Sequence, residues 1–174
     1  MADLCKLTQS VYLGSMILLI VLVTVFVLSY LAGRFTGRWG ISFSGNLAMS
    51  VMLVFTGIAH FIYTEGMVLM LPHIVPAKKI VIYITGILEI LAAAGLMIPK
   101  YRKTTALLLM IFLIVILPAN FKGAYDHLDI TTAQYDGRGP AYLFFRVPLQ
   151  VAFIFWIWYF SFRQEGDVSR VSSQ

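Results

Sequence analysis

The 174-residue chain is 60% hydrophobic and only 12% charged, with a mean hydropathy of +0.86, against roughly 25% charged residues in an ordinary soluble domain. Such a chain has lipid as its solvent. The formal net charge of +5 does not point to nucleic acid, because the basic residues sit in short clusters beside apolar runs and not along one helix face or patch.

One domain is expected at this length, with no linker, repeat or low-complexity tract dividing it. Cys5 is the only cysteine, so there is no intrachain disulfide, CxxC pair or cysteine metal site. The first apolar run, Val11 to Leu31, carries no charge and at about 20 residues crosses a hydrocarbon core of about 30 Å. A cleaved signal peptide would have a shorter apolar core and a more basic start than MADLCK, so the run reads as an anchor.

Asn46 to Tyr63 forms the second expected span, and Ile80 to Ile98, interrupted only by Glu89 and closed by Pro99, forms the third. Thr104 to Leu117 forms the fourth and runs on through Pro118 to Phe121, since a proline near a helix end is accommodated. Tyr142 to Phe162 is the fifth, ending in FIFWIWYF, whose Trp and Tyr suit a membrane interface. The expected fold is therefore all-α, an integral membrane helical bundle. Its parts are an N-terminal helix and linker over 1–45, a bundle over 46–162 and a polar tail over 163–174. Between the second and third spans, Glu65 to Lys79 is too short and too broken by Pro72 and Pro76 to cross. It is expected along the outer surface, either as a half-buried amphipathic cover or as an ordinary loop.

Arg34, Arg38, Lys100, Arg102, Lys103, Arg163 and Arg170 fall on one side, while Lys6, Lys78, Lys79, Lys122 and Arg138 fall on the other. The positive-inside rule, weighted by the tight PKYRK turn, places that turn and the C-terminal tail in the cytoplasm. Polar intramembrane residues then converge in the outer half of the bundle: His60, Asn120, Arg146 and Gln150 near the outward ends, with Glu89 deeper. A charged side chain in hydrocarbon costs at least about 2.5 to 3.5 kcal/mol, so these residues must face the interior. Thr85, Gly86, Glu89, Ala92 and Ala93 share one helix face, as do Thr56, Gly57, His60, Tyr63 and Thr64, while Ile80, Ile84, Ile87 and Leu91 suit lipid.

These five residues are the candidate ligand-binding set. Glu89 and Arg146 are expected close together, directly or through one polar group, with His60 in the same region. A structural reading stands beside the functional one: Glu89 and Arg146 as a neutralising pair, His60 as a hydrogen-bonded interior residue, and Asn120 and Gln150 as partners for backbone freed by Pro118. The histidines are His60, His73 and His127; scattered in this way they make no metal motif.

FTGIAHF at Phe55 to Phe61, TGILEILAAAGLMIP at Thr85 to Pro99, LPANF at Leu117 to Phe121 and RVPLQ at Arg146 to Gln150 together resemble the DoxX-like family of small bacterial membrane proteins. The resemblance covers Asn46 to Tyr159 and implies a four-helix core, to which the first helix is an addition, in the bacterial inner membrane. Founding members of that family are named as small subunits of a thiosulfate:quinone oxidoreductase, and distant relatives act as chaperones or cargo receptors. The resemblance thus implies a redox-associated subunit holding a quinone, served by a membrane or soluble redox partner, because the chain has no haem, flavin or iron-sulfur motif of its own. A non-enzymatic chaperone or scaffold pairing with partner helices is the alternative, and a small-molecule transporter is third. Enzyme and non-enzyme readings both stand.

The orientation is testable in a Cys5→Ser background. A cysteine introduced by Arg102→Cys is expected to be shielded from an impermeant thiol reagent added outside, and labelling from outside would invert the topology.

Overall fold

The computed structural model describes residues 2–137 and 139–162, with side chains from residue 16 onward except at Tyr142. The side chains of Cys5 and Lys6, and all of Arg138, Arg163, Arg170 and the tail over 163–174, lie outside the described residues.

The described chain is helical, with no strand. In order it forms α1 (Ala2–Thr36), α2 (Ile41–Ile62), α3 (Thr64–Met70), α4 (Lys78–Met97), α5 (Pro99–Val115), α6 (Leu117–Tyr125), a 3-10 turn (Gly139–Tyr142) and α7 (Leu143–Phe162). Five stretches are long and apolar enough to cross a membrane: Met16–Thr36, Ile41–Ile62, Lys78–Met97, Pro99–Tyr125 and Gly139–Phe162. The expected five spans are present, with shifted ends. The first runs on to Thr36, where Gly37 at φ 65 takes the left-handed conformation that ends a helix. The second starts at Ile41 because Ser42, Ser44 and Gly45 are buried helix residues and not linker.

Large apolar side chains cover the outside, among them Ile20, Leu28, Ile62, Leu91, Leu108 and Phe155. Only a lipid environment suits so continuous an apolar surface. Ile80, Ile84, Ile87 and Leu91 are exposed as expected, while Gly86, Glu89 and Ala93 turn inward. The core is drawn from all five spans, with Leu22 of α1, Met49 and Met52 of α2, Leu96 of α4, Leu109 of α5 and Phe153 and Ile157 of α7 packed together.

Lipid tails are as apolar as leucine, so close packing and interhelical hydrogen bonds hold such a bundle together. Two contacts set the position of α2. At its inner end, Asn46 Nδ2 donates to Ser42 O (2.8 Å) and to Phe160 O (3.0 Å), and Ser161 Oγ donates to Asn46 Oδ1 (2.7 Å). Ser50 Oγ adds a bond to Ala93 O of α4 (2.9 Å). Further out, α2 and α4 cross at a pair of glycines: a Cβ on Gly57 would meet Gly86 O at 2.9 Å, and a Cβ on Gly86 would meet His60 Cβ at 2.8 Å.

The fourth span is broken where Pro118 offers no N–H, and α5 gives way to α6 at Ile116. The segment after α2 does not cross. It forms the two-turn α3, and then a turn that runs to Ala77 at φ 49. Thr64, Gly66 and Met70 of α3 are buried, so it is packed on its inner face as an amphipathic cover would be, although Ile74 stays 89% exposed. Gly66 lies so close to Ile130 of the loop after α6 that a Cβ would stand 2.0 Å from its carbonyl oxygen. Lys122 Nζ fastens the same cover by donating to Leu69 O (3.1 Å) while pairing with Asp126 (2.5 Å).

Gly86→Val is expected to destabilise the bundle by about 1 to 3 kcal/mol through overpacking against backbone, whereas Ile84→Val, on the lipid face, should stay within about 0.5 kcal/mol. Equilibrium unfolding in mixed micelles measures both, and equal losses would show that the helices do not cross at the glycines.

Candidate functional site

A helical side chain leans toward the N-terminus of its own helix. Because α2 and α4 are antiparallel, His60 leans back toward the middle of α2 and Glu89 leans toward the N-terminal end of α4. The glycine crossing removes the side chains that would otherwise hold the helices apart, and residues displaced along the bundle can meet. His60 Nδ1 and Glu89 Oε2 lie 3.7 Å apart.

The imidazole is oriented by its own helix, with Nδ1 2.8 Å from Thr56 O. A carbonyl only accepts, so Nδ1 carries the proton, and Nε2 is left as the acceptor of the neutral ring. Nε2 makes no hydrogen bond among the described residues. Glu89 is buried, at 6% exposure, and its Oε2 has no hydrogen-bond partner; the 3.7 Å separation from His60 is an ion-pair distance and not a hydrogen bond. The Thr56 hydroxyl donates to Leu53 O (3.1 Å) and stands beside the Glu89 carboxylate.

Arg146 stands further off. Its guanidinium acts on Glu89 through space, less strongly than His60 does, and makes no hydrogen bond or ion pair within 4 Å among the described residues. The neighbour within ion-pair distance of Glu89 is thus His60, where the sequence suggested Arg146. The cause is depth: Arg146 lies in the first turn of α7, whereas Glu89 is past the middle of α4.

Asn120 and Gln150 form a separate, fully buried contact between α6 and α7. Asn120 Nδ2 donates to Gln150 Oε1 (3.5 Å), and Gln150 Nε2 donates to the carbonyl of Leu113. Leu113 is among the last four residues of α5, next to the break at Ile116. Gln150 thus takes up a carbonyl near the end of α5, while the Asn120 side chain reaches Gln150 and, among the described residues, no backbone group. The five candidates therefore divide into His60 and Glu89 between α2 and α4, Asn120 and Gln150 between α6 and α7, and Arg146 at the outer end within electrostatic range of the first pair.

Asn46 and Ser161 went unnoticed in the sequence. A signal was present, since Ser42, Asn46 and Ser50 recur every four residues and so share a helix face. Their polar atoms are satisfied within the bundle, which makes them structural. For a metal, His60 and Glu89 supply two ligating side chains, and no third His, Cys, Asp or Glu joins them among the described residues.

A family profile described as a domain of unknown function (DUF8561) matches residues 49–161. The chain belongs to this family. The match runs from within α2 almost to the end of α7, so the DUF8561 region takes in all five candidate residues and leaves α1 outside. No curated protein and no solved structure matches the chain.

If His60 and Glu89 are coupled as their geometry indicates, a double-mutant cycle of His60→Ala and Glu89→Gln, read by unfolding in mixed micelles, should show an interaction of about 0.5 to 3 kcal/mol. The cycle of Glu89→Gln with Arg146→Gln should show a smaller one. A reversed order would restore Arg146 as the principal partner.

Proposed function

We propose that this DUF8561 protein is a DoxX-like, multi-pass protein of the bacterial inner membrane that holds the polar head of a small lipophilic ligand, of the quinone class, between α2 and α4 at His60 and Glu89. In this reading it serves as a redox-associated subunit, and electrons come from a partner. The observation that supports it is the Glu89 carboxylate oxygen, buried in the bundle without a hydrogen bond, beside an imidazole whose second nitrogen is also unengaged. Among the described residues this oxygen is the one buried side-chain polar atom without a partner, whereas Asn46, Ser50 and Gln150 are paired. A fold that satisfies those groups and leaves this one open fits a site that a ligand completes.

The outer cover bears on the route. With Gly66 wedged against Ile130 and Lys122 tied to α3, the water-facing end is closed by packed structure, which suits a ligand that arrives through the bilayer.

Purification from native membranes, followed by mass spectrometry of the extracted lipids, is expected to show a quinone-class molecule retained by the wild type and reduced at least about tenfold in Glu89→Gln and His60→Ala. Equal retention by all three would remove the site. Loss of partner assembly with unchanged lipid content would point to a scaffold instead.

A further inference from the structure

The donors of His60, Thr64, Asn120 and Gln150 are engaged within the bundle. His60 Nδ1 donates to Thr56 O (2.8 Å), Thr64 Oγ1 to His60 O (2.7 Å), Asn120 Nδ2 to Gln150 Oε1 (3.5 Å) and Gln150 Nε2 to Leu113 O. What remains between α2 and α4 is acceptor capacity. Glu89 Oε2 is buried without a hydrogen bond. The groups that face the carboxylate are the His60 N–H at 3.7 Å, the Thr56 hydroxyl and, at longer range, the Arg146 guanidinium. Each of these is a donor, so Oε2 sits in surroundings built for an acceptor.

We infer, resting on the ligand-binding reading above, that Glu89 is held as the carboxylate by the donors that face it and that the ligand group docked against its Oε2 is a neutral hydroxyl, that of a phenol, a quinol or an alcohol, and not a carbonyl. A carbonyl would bring a further acceptor against Oε2, which already lacks a donor, and two acceptors left facing one another are both unsatisfied. An ammonium head would also donate, but a charged head is costly to bring through hydrocarbon, the route proposed above. A hydroxyl both donates to Oε2 and carries no charge. A ligand with a second polar end would direct its acceptor outward, toward Arg146, in the first turn of α7. For a molecule of the quinone class, the site prefers the reduced form.

The test uses the full chain in nanodiscs with three probes of matched tail: para-hexylphenol, para-hexylanisole, in which a methyl ether removes only the donor, and hexylbenzoquinone. Wild type is expected to bind the phenol saturably and at least about tenfold more tightly than the other two. In Glu89→Gln the amide can donate to a carbonyl, so the preference over the quinone should fall to within about threefold. The selectivity of the wild type needs no variant and stands even if Glu89→Gln folds poorly. Saturable binding that Glu89→Ala weakens, but in which the anisole or the quinone matches the phenol, overturns the hydroxyl assignment and leaves the ligand site in place. Absence of saturable binding of any probe by wild type, or equal binding by Glu89→Ala, overturns the ligand site itself.

Discussion

In hydrocarbon there is no water to satisfy a polar group, so each polar side chain in the spans must find its partner inside the bundle. Most of the interhelical geometry follows from this. Asn46 bridges α2 to the last turn of α7, and Ser50 ties α2 to α4. Gln150 takes up a carbonyl at the end of α5, where Pro118 interrupts the fourth span. These bonds fix helix positions that apolar packing alone would leave interchangeable, because leucine and isoleucine contact lipid as readily as each other.

The same constraint gives Glu89 its meaning. Its oxygen Oε2 is held away from lipid and water yet accepts no hydrogen bond. The glycine pair at positions 57 and 86 is what allows this arrangement, since it brings α2 and α4 close enough for His60 to face Glu89. The imidazole is in turn aimed by Thr56 of its own helix. A close helix crossing with an unpaired acceptor beside it is what the ligand-binding proposal rests on.

The outer surface is organised differently. Short α3 and the loop after α6 hold one another by backbone contact at Gly66 and by Lys122, which lies in α6 yet donates to a carbonyl of α3. Small residues and a long basic side chain here do the work that large apolar residues do in the core, because the segment lies where the chain leaves the hydrocarbon and its backbone must turn.

Five spans, their order, the lipid-facing stripe of α4 and the inward turn of Glu89 were all determined by the sequence, because run length and helical period are local properties that hydrocarbon thickness converts directly into structure. The set of polar candidates was legible for the same reason: each is a costly residue inside an apolar run. Which candidates meet was decided by tertiary structure. Chain order gives depth only to within a turn or so; it brought His60 and Arg146 to the same region as Glu89 but did not show that His60 is the one within ion-pair distance. The Asn46 bridge and the capture of the Leu113 carbonyl by Gln150 were hidden for a related reason. A hydrogen bond between helices depends on their relative rotation, and that rotation is set by how α2, α4, α5 and α7 pack against one another and by no single segment.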